Sequence, residues 1–223
     1  MTRQRTMLFG WVLALVAMTL FSIAGAWQWR RMHEKQASLD AAQHVLADRT
    51  AKPLSIAADN QRMRAYDWSA GAGTFDARGA LLLDNQQNSG RSGIRVYRIF
   101  VPEQGNPLLV DLGWLPLGGD RKFPDIARIH GPVELRGLLM PPPSSGLPLG
   151  AGVVRQGDGW LLTRVDPVAI ASSLRLPVPL APRVLRLDPA LPQRHLGYAV
   201  QWFALALAVL VTACILTFRK IRR

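Results

Sequence analysis

Apolar positions crowd the two ends of this chain. Met7 to Trp29 and Tyr198 to Phe218 each hold about twenty mainly apolar residues, enough to cross a bilayer as a helix. Arg3 and Arg5 ahead of the first run also fit a secretory signal, and Ser22-Ile23-Ala24 and Ala24-Gly25-Ala26 offer small residues for cleavage. The run is longer than a usual signal core, however, and Trp27 and Trp29 behind it read as an interfacial aromatic belt, so a retained anchor is expected. The second run carries no charge from Ala204 to Ile215 and stops at Arg219, Lys220, Arg222 and Arg223, a stop-transfer pattern.

Between the anchors the pattern shortens to strands. Tyr66 to Phe75, Ala80 to Asn85, Ile94 to Val101, Leu108 to Leu115, Val133 to Leu139, Trp160 to Val165 and Val184 to Leu187 are short runs of aliphatic and aromatic residues divided by Gly, Pro, Asn and Asp. Helical spacing carries the first anchor on through Met32, Gln36, Leu39 and Gln43, and returns at Pro167 to Leu174, where Asp166 is placed to cap it. Met140 to Gly146 holds three consecutive prolines, which should end strand pairing. Pro177 to Pro192 carries five prolines and is expected to form a stiff return path to the second anchor. The predicted class is a membrane protein in which two transmembrane helices flank one β-rich (α+β) extramembrane domain, an antiparallel sheet or barrel.

Charge sets the expected topology. Of 27 Lys and Arg, six lie in the terminal segments, leaving the loop 21 against 15 acids, so its excess is only six. Counting cations near the membrane ends puts both termini in the cytoplasm. Residues 1–6 and 219–223 are then cytoplasmic, 7–29 and 198–218 span the membrane, and 30–197 form a domain in the periplasm, or in a mitochondrial intermembrane space. Arg30 and Arg31 argue mildly against this orientation. Loop cations are spread singly rather than clustered, and no nucleic-acid motif is present, so the basic character fits proximity to anionic lipid instead.

Several chemistries are disfavoured by what is missing. The one cysteine, Cys214, sits inside the second apolar run as a packing residue, so disulfides, cysteine zinc or copper sites and covalent haem attachment are ruled out. Ser144, Ser145, Ser172 and Ser173 lie in no nucleophile elbow, Asp111, Asp120 and Asp125 are scattered, and there is no phosphate or dinucleotide loop. An exported enzyme is therefore the least favoured class, and the expectation is that the protein is not an enzyme.

Polar residues at the outer ends of the anchors are the better lead. Trp27, Gln28, Arg31 and Lys35 leave the first helix, while His195, Tyr198, Gln201 and Trp202 enter the second; His195, Tyr198 and Trp202 share one helical face. Amides such as Gln28 and Gln201 are costly near hydrocarbon unless bonded, which suggests that the helices meet there. One reading is an aromatic and basic belt that only fixes depth. The other is a pocket in which an imidazole ligates haem iron, Trp and Tyr cover the porphyrin, and Arg31 or Arg194 pairs with propionates. His33 lies near the same membrane face as an alternative ligand, whereas His44 and His130 read as surface residues.

Trp27-Gln28 with Arg31 and Lys35, Gly73 with Phe75, Gly113-Trp114 within Leu109 to Pro116, and above all His195-Leu196-Gly197-Tyr198-Ala199-Val200-Gln201-Trp202-Phe203 occur in an order that resembles the Surfeit locus protein family of cytochrome c oxidase assembly factors. The resemblance covers essentially the whole chain. It implies an inner-membrane chaperone that holds or delivers haem a transiently while oxidase subunit I matures, with other assembly factors or haem a synthase as further partners. His195 would be the iron ligand and Trp27, Gln28, Arg31, Tyr198, Gln201 and Trp202 pocket or packing positions. Gly113 would permit a close approach and Trp114 would fill the core. Asp111 and Leu112 stand where many relatives have Asn-Arg, so no role of that arginine carries over. A haem-free scaffold for assembly intermediates is the alternative.

Overall fold

A computed structural model describes residues 3–119, 122–143, 152–187 and 198–221. It divides into two compact units, Met1–Asp40 with Leu191–Arg223, and Ala41–Ala190.

The first unit is a pair of antiparallel helices. Helix α1 runs unbroken over Arg3–Asp48 and α3 over Tyr198–Ile221. At 1.5 Å per residue α1 is about 69 Å long, roughly twice what the hydrocarbon of a bilayer needs. Along it Trp11, Ala14, Met18, Phe21, Gly25 and Gln28 are at least half-buried. Their alternating spacing of three and four residues makes a seam of the coiled-coil kind. On α3 the matching positions are Trp202, Ala206, Val209, Ala213 and Thr217. Trp11 Nε1 donates to Thr217 Oγ1 at 3.1 Å, the Phe21 and Trp202 rings lie 6.0 Å apart, and the Phe203 ring rests on Gly25, where a Cβ would come within 2.8 Å of it. Many other apolar side chains, among them Leu8, Phe9, Leu13, Leu20 and Ile23 on α1 and Leu207, Leu216 and Phe218 on α3, are exposed. Both helices are long and apolar enough to cross a membrane.

The second unit is built on one nine-stranded mixed sheet. In chain order the strands are β1 Lys52–Pro53, β2 Asp67–Phe75, β3 Leu81–Asn88, β4 Arg91–Pro102, β5 Leu108–Pro116, β6 Pro132–Met140, β7 Val153–Gln156, β8 Gly159–Leu162 and β9 Val184–Arg186; helix α2 spans Pro167–Ser173. The sheet order is β1-β2-β6-β9-β5-β4-β3-β8-β7, and β2 also pairs with β4, which closes β2, β6, β9, β5 and β4 into a five-stranded barrel. Closure depends on the far end of β2, where Gly73 faces both Val133 of β6 and Pro102 of β4. Small residues at Ala70, Gly71, Ala72 and Gly73 let the strand turn that corner.

Alternate residues of the barrel strands point inward. Phe75, Phe100, Leu108, Val110, Leu139 and Leu185 fill the interior, plugged by Leu54 and Ala57 of a 3-10 turn over Leu54–Ala58. On the opposite face Leu81, Tyr97, Ile99 and Leu109 lie under Ile170 and Leu174 of α2. Asp166 caps α2 as expected, accepting from the Val168 and Ala169 N–H groups at 3.1 Å.

All seven expected strands are present, β6 ends at Met140 before the prolines, and a barrel forms, but the pairing is not wholly antiparallel: β1–β2, β3–β8 and β5–β9 are parallel. Within the described part of the proline-rich stretch the chain is more than a return path, since Val184–Arg186 completes the barrel wall as β9.

Candidate functional site

The aromatic and basic stretch of α1 just past its apolar run takes its arrangement from helical spacing. Trp27 and Arg31, four residues apart, stack with the guanidinium 5.6 Å from the ring centroid, and Trp29 and His33 do the same with rings 4.7 Å apart. His33 Nδ1 is 2.9 Å from the Trp29 carbonyl oxygen. Trp27, Trp29, Arg31 and His33 are exposed, as are His44 and His130. Gln28 is half-buried on the seam, and Trp202 is half-buried on the facing helix, against Phe21. The helices do meet at this level, but of the two amides only Gln28 lies on the seam, and Gln201 is exposed. Tyr198 opens α3, but its side chain lies outside the described residues, as does His195. The sequence reading overlooked Gly25 and Phe203, whose contact sets how closely the helices approach.

In the barrel unit the chemistry lies in two buried charge clusters. Asp111 is buried at the start of a β-bulge, where Gly113 faces Val96, Asp111 faces Tyr97, and Leu112 is the extra residue. Its Oδ2 accepts from Arg95 Nη1 at 2.7 Å and Arg186 Nε at 2.9 Å, and its Oδ1 from the Gly113 N–H at 3.0 Å. Burial, and then the nearby Asp111 carboxylate, hold the Tyr97 hydroxyl well above the usual tyrosine range. Gly113 and Trp114 differ from expectation. Gly113 has φ +121° with open space around it, so it supplies a bulge conformation and no close approach; Trp114 is half-buried, lies over Gly93 and donates from Nε1 to the Gln86 carbonyl at 3.1 Å.

The second cluster ties β2 to the segment before β9. Asp67, 2% exposed, accepts from Lys52 Nζ, Arg62 Nη2 and Arg183 Nη1, each at 2.6 Å, while the wholly buried Arg183 also donates to the Ile56 carbonyl. Burial alone would raise the carboxyl, but the bonds from Arg62, Lys52 and Arg183 outweigh it and hold Asp67 at about 2. Because the folded value is the lower one, this stabilisation is complete above about pH 4, the ordinary carboxylate range, and is lost as pH falls through about 2. The expected loss is about 2 kcal/mol, visible as a melting temperature that declines between about pH 4 and 2 in the native chain and declines less in Asp67→Asn.

A pocket of about 700 Å³ opens between the Lys122–Arg128 segment, Gly79–Leu82 and the β7–β8 turn. Arg98, buried beneath this wall, holds it by donating from Nη2 to the Ile126 and Ala127 carbonyls at 3.0 and 2.8 Å. Burial, followed by the charge of Arg128, lowers the Arg98 pKa. The charged residues lining the pocket are Lys122, Asp125, Arg128 and Asp158; no serine, cysteine or histidine lines it among the described residues. Nor do the described residues contain a cluster of three or more potential metal ligands.

An antiparallel apolar helix pair and a small closed barrel with buried ion clusters are thus the two parts that any assignment has to accommodate. No curated protein matches the chain. The family model described as the SURF1 family matches residues 15–207, from within the first apolar run, through the barrel, into the second. By a match over most of its length, this chain belongs to the SURF1 family, which is known for cytochrome c oxidase assembly.

Proposed function

We propose that this protein is a non-enzymatic assembly factor of the bacterial inner membrane, anchored by α1 and α3, which holds or delivers haem a while subunit I of cytochrome c oxidase matures. The antiparallel seam carries the reading: with Phe203 on Gly25, the start of α3 lies beside the Trp27–Arg31 stretch of α1. Broad exposed apolar faces on both helices support membrane insertion, since soluble monomers rarely leave so much apolar surface uncovered. With Arg3 and Arg5 at one end and the basic tail at the other, both termini are cytoplasmic and the barrel periplasmic.

The available donors fit a haem. The exposed Trp27 indole can cover a porphyrin, Arg31 keeps N–H groups free to pair with propionates while stacked on Trp27, and the His195 imidazole is a suitable axial ligand. Bound haem a is cargo to be passed to subunit I; other assembly factors and haem a synthase are the further partners. Gln28 and Trp202 are half-buried on the seam at this level, and Tyr198 and Gln201 complete the proposed set of pocket positions.

The test is an absorbance spectrum of the detergent-purified protein, wild type beside His195→Ala, after co-expression with the enzymes that make haem a. Haem a in the wild type and none in a folded, inserted His195→Ala protein is expected. Haem retained by the variant removes His195 as ligand, and no haem in either favours a haem-free scaffold that stabilises assembly intermediates.

A further inference from the structure

We infer that the groove between α1 and α3 at Ala26, Trp29, Arg30 and Phe203 binds one anionic phospholipid, an inference that rests on the membrane reading above. The groove measures about 400 Å³ and its walls are almost wholly apolar, with Arg30 as the single charged group. That volume falls within the ordinary range of ligand sites. Gly25 makes room for it: the Phe203 ring packs where a Cβ at Gly25 would stand, with a trough beside Ala26 and Trp29.

Charge complementarity identifies the occupant. Trp29 marks the level of the membrane interface, so Ala26 and Phe203 stand at acyl depth and the Arg30 guanidinium at phosphate depth. Arg31 stacks on the Trp27 ring and does not line the groove, whereas Arg30 lines it and among the described residues has no ion-pair partner; Glu34, one turn on, is not within ion-pair distance. From Ala26 to Arg30 the groove is one helical turn long, which suits the upper part of one acyl chain beneath a phosphate and is too short to seat another helix. Lone cations at this depth favour anionic lipid over zwitterionic lipid by about fivefold.

Native mass spectrometry of the full chain, released from bacterial membranes in a mild detergent, tests this. Wild type and Arg31→Gln should retain one phosphatidylglycerol or cardiolipin, enriched about fivefold over phosphatidylethanolamine relative to the membrane. Arg30→Gln should lose the enrichment, and Ala26→Phe, which fills the trough, should lose the lipid. Equal enrichment in Arg30→Gln and wild type, or no retained lipid, overturns the site while leaving membrane anchoring intact. Loss of haem with unchanged lipid in the two groove variants overturns it by giving the groove to the cargo. A chain released from membranes by alkaline carbonate overturns the membrane reading, and the site with it.

Discussion

Asp67→Ala is expected to cost about 3–5 kcal/mol of folding stability, because it leaves a buried guanidinium with no counter-charge. The three cations on this carboxylate are not equivalent. Lys52 and Arg62 are 46% and 39% exposed and can turn to water when it is removed, whereas Arg183 is wholly buried and bonded on its other side to the Ile56 carbonyl. The loss therefore falls on Arg183, which sits just ahead of β9 and so on the closure of the barrel. Asp67→Asn keeps the shape and one acceptor, and should cost less than Asp67→Ala. Asp67→Ala combined with Arg183→Met should recover much of the stability, since it exchanges a stranded charge for an apolar side chain. Thermal unfolding of the full chain in detergent, followed by near-UV circular dichroism, reads all four proteins. A single Asp67→Ala variant within about 1 kcal/mol of wild type would show that the cluster is only a surface ion pair.

That cluster also marks where sequence reading stops. Strand positions were legible because aliphatic runs between glycine, proline and asparagine punctuation report local preference, and all seven runs became strands. Partners 116 residues apart, such as Asp67 and Arg183, leave no such trace. The β7–β8 hairpin did leave one: Gly157-Asp158 between Val-Val-Arg-Gln and Gly-Trp-Leu-Leu is a two-residue turn, with Gly157 at φ +55°. Polar Gln86, Gln87 and Asn88 hid the outer half of the β3–β4 hairpin, which turns at Ser89 and Gly90, both at positive φ. In the candidate site the stacking of Arg31 on Trp27 follows from their spacing of four. The seam did not stand out, because every neighbour of Ala14 and Gly25 is apolar as well and uniform hydrophobicity masks a three-and-four repeat. Exposure of Gln201 was likewise invisible, since it is fixed by how α3 rotates to put Trp202 against Phe21.

Gly73→Ala should destabilise the protein by about 3 kcal/mol, at the top of the range for overpacking, and Gly73→Val should prevent folding. A Cβ at this buried position would stand 2.3 Å from the Val101 carbonyl oxygen and 2.7 Å from both Pro102 Cα and Phe100 Cζ. Two of those three atoms are backbone on the strand that closes the barrel, so relief requires β2 and β4 to separate. Gly113 gives the contrast: with open space around it and φ +121°, alanine there meets only a conformational cost of about 1–3 kcal/mol and the barrel stays closed. The two kinds of defect separate in cells lacking the native gene and supplied with each variant. Gly73→Val should abolish oxidase activity together with the protein itself, on immunoblots of the membrane fraction. His195→Ala should reduce oxidase activity while the protein persists at wild-type level, as expected if the imidazole serves the cargo and not the fold. Persistence of Gly73→Val at normal abundance would mean that β2 and β4 need not pair in the working protein, and that the helix pair alone carries the function.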